Sequence, residues 1–168
     1  MPSKRSAKRP SSFTASTFPK DWQEFLSLLI SNRVKFVIVG GHAFAVHARP
    51  RMTEDLDVFV EASLSNAKKL RNVLAEFGFG SAAPDAETLA EAGRVFMLGV
   101  KPFRIDVLTK ISGVEFDEVW RDRVHADTSL GKLPFISKRH FVANKTASSR
   151  PKDLRDIEEL AQRKSSKK

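Results

Sequence analysis

Two aspartates, Asp55 and Asp57, flank one leucine, and a glycine pair, Gly40-Gly41, stands thirteen residues ahead of them. Around the acids the apolar residues alternate: Leu56, Val58 and Val60 interleave with Asp55, Asp57 and Phe59, which is the spacing of a strand. Alternate strand residues share a face, so both carboxylates point one way while Leu56 and Val58 point into a core. Two carboxylates on one face repel unless a cation lies between them. Oxygen-rich sites of that kind suit magnesium or manganese.

A third acid stands in the run FRIDVLT, where Ile105 and Val107 alternate with Arg104, Asp106 and Leu108. If this strand lies beside the first, Asp106 joins Asp55 and Asp57. Three acids can hold two divalent cations about 4 Å apart, a clamp for the attacking and leaving oxygens of a phosphoryl displacement. Pairing of Asp106 with Arg104 or another arginine is the structural alternative. Gly40 and Gly41 lack side chains and let backbone N–H groups approach a polyphosphate, with a helix N-terminus behind them. Arg49 and Arg51 can neutralise phosphate oxygens.

Those residues need a scaffold, and the remaining pattern supplies one. Asp21 and Glu24 read as a capping box for a helix that carries Trp22, Phe25, Leu26 and Leu29 to about Asn32. Strands are expected over residues 34–39 and 56–61, with a short helix over 42–48 between them. Ser65 to Phe77 reads as a helix stopped by Gly78 and Gly80, and residues 81–93 as a loop with one helical turn. Val95 to Val100 and Phe103 to Leu108 read as a hairpin about Lys101-Pro102. A short helix near Phe116 to Trp120 and a last strand, Leu133 to Ile136, follow. Ser137 caps a helix carrying Phe141, Val142 and Lys145. Pro151 breaks it, and Asp153 to Arg163 forms another. The expected class is α/β, of the α+β kind, with one mixed sheet flanked by helices.

Composition narrows the partners. With 168 residues and no repeat, one domain over residues 20–162 is expected. No apolar run reaches the length of a membrane span, and there are no cysteines, which points to a cytoplasmic protein with no membrane partner. The net charge of +9 sits at the two ends, because residues 21–162 hold twenty basic and twenty acidic side chains. Residues 1–19 and 163–168 read as disordered basic tails. Such tails contact RNA through its phosphates, or remain solvated and aid solubility.

Strand, Gly-Gly, short helix, Asp-Leu-Asp strand and a later lone aspartate together resemble the DNA polymerase beta-like nucleotidyltransferase superfamily. Within it the chain is similar to small bacterial nucleotidyltransferase-like proteins that include toxins of toxin–antitoxin systems. The resemblance runs from Val37 to Val58, through Asp106, and over NKTASSRPKDLRDIEEL from Asn144 to Leu160. It implies a polymerase beta-type fold, an NTP donor and transfer of an NMP to an acceptor hydroxyl with release of pyrophosphate. It implies that Asp55, Asp57 and Asp106 are catalytic and hold the metals, Asp106 also assisting deprotonation of the acceptor. Gly40 and Gly41 shape the nucleotide loop, and Lys145 and the turn carrying Arg150 and Lys152 lie near the nucleotide or brace the site.

The acceptor is an RNA, a protein or a small molecule, and a cognate antitoxin is a further possible partner. Many relatives have Gly-Ser where this chain has Gly40-Gly41, and no large helical substrate domain follows the core. A non-catalytic nucleotide- or RNA-binding module of the same fold is therefore the competing expectation. The histidines are less telling. His42 and His47 are five apart, which misses the i, i+4 spacing of a helical zinc pair. His42 follows the glycines and is placed near the phosphates, whereas His47 is expected to pack. Thr53 either starts the strand or braces the nucleotide loop, and Asp153 and Asp156 are expected to serve a helix N-terminus.

Overall fold

A computed structural model describes residues 18–165, with side chains through Arg163. The tail expected over residues 1–19 lies outside the described residues up to position 17, and so do residues 166–168. Six strands form one mixed sheet in the order β3-β4-β2-β1-β6-β5. In chain order these are β1 Phe36–Val39, β2 Asp55–Val60, β3 Val95–Leu98, β4 Arg104–Leu108, β5 Val124–Thr128 and β6 Gly131–Phe135. The helices are α1 Lys20–Ser31, α2 Gly40–His47, α3 Leu64–Leu74, α4 Ala86–Leu89, α5 Phe116–Arg121, α6 Lys138–Ser148 and α7 Pro151–Ser165. This is the α+β, polymerase beta-like architecture that the sequence pattern suggested.

The centre of the sheet is its most apolar part. All four residues of β1 are buried, as an interior strand requires, and Leu56 and Val58 of β2 are fully buried. β1 runs antiparallel to β2 and parallel to β6, while β2 runs parallel to β4. Trp22, Phe25, Leu26 and Leu29 fall on one face of α1 and are buried. Most phenylalanines are core, as their spacing suggests: Phe59, for example, packs edge-on against Phe116 at 5.0 Å. Phe103 is an exception, half exposed on the β3–β4 hairpin.

Three local readings change. The capping box does not form: Pro19 is the N-cap of α1, and Asp21 sits in the first turn beside the helix dipole. β5 is an extra strand, paired antiparallel with β6 through a turn at Gly131, whose φ is 94°. Its weakly apolar residues, Val124 and Ala126, hid the alternation. Pro151 begins α7 rather than merely ending α6, a position where its missing N–H costs no helical bond. α7 then runs through Ser165.

No helix among the described residues is long and apolar enough to cross a membrane.

Candidate active site

Register assembles the acids. Asp57 of β2 lies directly beside Asp106 of β4 in the parallel ladder, and Asp55 projects from the same face of β2. One carboxylate oxygen from each of the three lies within 4.8 Å of the others. They line a cleft of about 820 Å³ together with Gly40, Gly41, Thr53, Lys145, Arg150 and Lys152.

Gly40 closes the turn from β1 into α2 with φ of +67°, and a Cβ there would lie 2.2 Å from Asp57 Oδ2. Only glycine lets the chain pass so close to that carboxylate. Val39 caps α2 without a side-chain hydrogen bond, and Gly40 and Gly41 at the start of that helix line the cleft. Gly41 is small for a different reason, since a Cβ there would meet Thr53 Cγ2 at 2.4 Å.

Charge in the triad is uneven. Burial, then the neighbouring Asp55 and Asp106, push the Asp57 carboxyl up to about 7, with Lys145 and Lys152 pulling the other way. Arg104 donates from Nε to Asp106 Oδ1 at 2.7 Å and from Nη2 to Asp106 Oδ2 at 2.9 Å, and it reaches Asp55 Oδ2 at 3.4 Å. The sequence offered Asp106 as either a member of the triad or the partner of Arg104; it is both. Three clustered carboxylates offer hard oxygen donors, which fit a divalent cation well.

Other expected site residues fall into two groups. Lys145, Arg150 and Lys152 line the cleft. Lys145 is buried, 3.1 Å from Asp153 Oδ1 and 3.9 Å from Asp156 Oδ2. Asp153 has no exposure and accepts bonds from Ser148 Oγ at 2.8 Å and Arg150 Nε at 2.8 Å as well. It is a pivot for α6 and α7, a role beyond the expected service to a helix dipole.

Arg51 and His42, expected near the phosphates, have protein partners in this structure. Both guanidinium ends of Arg51 are committed to Asp156, at 2.7 and 3.1 Å, and its Cζ sits 4.1 Å from the centre of the Phe44 ring. It fastens the loop before β2 to α7. His42 lies edge-on to Phe18 and Trp22, and its Nε2 is 2.7 Å from Thr53 Oγ1. Burial lowers its pKa to about 4, so it is a neutral ring that braces Thr53. His47 bonds the Ile136 carbonyl through Nε2 at 2.7 Å and tilts against Phe141, as its expected packing role requires.

Asn144, Ser112 and Ile111 also line the cleft and were missed. Their only early signal was the position of Asn144 one residue before Lys145 on α6.

A family model described as "Nucleotidyltransferase of unknown function (DUF6036)" matches residues 17–165. No curated protein matches the chain. The match covers most of the sequence, including all three acids and both glycines, and the chain belongs to this nucleotidyltransferase family.

Proposed function

We propose that this chain transfers a nucleoside monophosphate from an NTP to an acceptor hydroxyl. The observation that carries the reading is the pairing of Asp57 with Asp106 across parallel strands, directly under the turn at Gly40. Asp55, Asp57 and Asp106 would hold magnesium or manganese, which supplies charge neutralisation at the phosphates and eases loss of the acceptor proton.

The protein's own groups account for the remaining requirements. The N–H groups of Gly40 and Gly41 face the triphosphate at the start of α2. Lys145, Arg150 and Lys152 add positive charge to the lining of the cleft. His42, Thr53 and Arg51 hold the segment that leads into Asp55. The acceptor oxygen bonds to the α-phosphorus as the bond to the bridging oxygen of the β-phosphate breaks. Pyrophosphate leaves, and Asp106 takes the acceptor proton. Lys4, Arg5, Lys8 and Arg9 favour an RNA acceptor through phosphate neutralisation.

Incubation with each labelled NTP, magnesium or manganese, and total cellular RNA or protein tests the reading. Label should pass to a macromolecule with release of pyrophosphate, and Asp57→Asn should abolish it. Equal labelling by wild type and Asp57→Asn would end the assignment.

A further inference from the structure

The Arg104 guanidinium is bound to two of the three carboxylates that would hold a divalent cation. Its fork meets both oxygens of Asp106 at 2.7 and 2.9 Å, and its Nη2 extends to Asp55 at 3.4 Å. A bidentate guanidinium occupies two of the roughly four lone-pair positions of a carboxylate and brings a full positive charge with it. Arg104 and Asp106 are two residues apart on β4, on the same face of the strand. The contact is therefore built into the strand and does not depend on a distant segment.

We propose that Arg104 is a positioning residue that acts as an internal counter-ion, holding Asp55 and Asp106 together without metal and competing with the cation for them. This rests on the metal reading of the triad given above. Two features make Arg104 displaceable. A quarter of its side chain is exposed, so the guanidinium can swing into solvent without unfolding β4. It also stands at the start of that strand, next to the half-exposed Phe103 of the hairpin. Asp57 is left outside the hydrogen bonds that Arg104 makes to Asp55 and Asp106. Asp55 and Asp106 would have to give up their bonds to Arg104 to join Asp57 in holding a cation. Arg104 thereby sets a threshold: the site fills only when the free cation outcompetes a tethered positive charge.

The test reads metal binding without nucleotide. Manganese affinity is measured by calorimetry at pH 8 for wild type, Arg104→Gln and Arg104→Lys, with thermal midpoints in EDTA. Arg104→Gln should bind manganese at least fivefold more tightly while melting lower in EDTA. Arg104→Lys should fall between it and wild type, because lysine keeps the charge but not the fork. A purely structural arginine would give weaker or unchanged metal binding on removal. Either of those results in a folded Arg104→Gln or Arg104→Lys protein overturns the competition while leaving the metal site itself standing. Absence of manganese binding in all three proteins overturns the competition together with the metal reading on which it rests.

Discussion

Gly40 and Asp57 are held so close that a single added carbon on the glycine would lie 2.2 Å from Oδ2 of the aspartate. The turn and the central carboxylate of β2 are thus one steric unit. Gly40→Ala forces either the backbone out of its φ of +67° or the Asp57 carboxylate out of register. The expected cost is about 1–3 kcal/mol of stability with a loss of at least tenfold in manganese affinity. Calorimetry and urea unfolding of the same samples check both, and full manganese affinity in a folded variant would refute the coupling. Gly41→Val acts elsewhere, because its side chain runs into Thr53 Cγ2 and disturbs the loop before β2 rather than filling the cleft.

Asp57 makes an opposite prediction for stability without metal. Its carboxyl is raised to about 7 by burial and by Asp55 and Asp106, whereas in the unfolded chain it titrates near the ordinary value of 3.8. Between those pH values the folded state holds more protons, so stability falls as pH rises through the window. Asp57→Asn removes the buried charge. In EDTA at pH 8 the variant should be more stable than wild type by on the order of 2 kcal/mol, and near pH 4 the two should converge. Manganese should then stabilise wild type at pH 8 and leave Asp57→Asn unmoved. Melting curves at both pH values settle the sign.

The acids and glycines were legible because their information is local. Period two alone put Asp55 and Asp57 on one face, and the break from β1 into Gly40 announced the turn. Asp106 was legible only conditionally, since nothing in FRIDVLT says which strand lies next to it; that is fixed by the order of the sheet. Arg51 shows where local reading stops. An arginine just ahead of an acidic strand looks suited to phosphate, yet its partner Asp156 lies 105 residues away. β5 was missed for an energetic reason: its residues are half buried at best, so its pairing with β6 stabilises it more than any apolar signature of its own.

Asp153 should be the most costly acid to lose for folding. Burial alone would raise its carboxyl, but hydrogen bonds from Arg150, Ser148 and Lys145 outweigh that and hold it below the usual carboxylate range. Its stabilisation is therefore present above pH about 4, the unfolded value, and is lost as pH falls through the lower folded value. Asp153→Ala leaves the buried Lys145 ammonium with Asp156 at 3.9 Å as its remaining carboxylate contact. The expected loss is about 3–5 kcal/mol at pH 7. Chemical denaturation of wild type and variant from pH 7 to pH 2.5 should show the gap narrowing toward acid, and a constant gap would refute the ionic account.

Lys152 should separate binding from folding. It is exposed on the first turn of α7, lines the cleft, and is close enough to lower the Asp57 pKa by its charge. An exposed lysine of this kind contributes little to the fold. Beside a triphosphate it offers a positive charge to an anion that arrives with several negative ones. Lys152→Ala should leave the melting temperature within about 1 °C, since surface substitutions shift stability little. It should weaken NTP binding by roughly three- to tenfold, about 1 kcal/mol. Lys152→Arg should retain most of the affinity, and the loss in Lys152→Ala should shrink at high salt, where screening weakens exposed charges. Nucleotide titrations at low and high ionic strength measure all three. An NTP affinity unchanged by Lys152→Ala at low salt would move the triphosphate away from Lys152 and toward the Gly40-Gly41 turn alone.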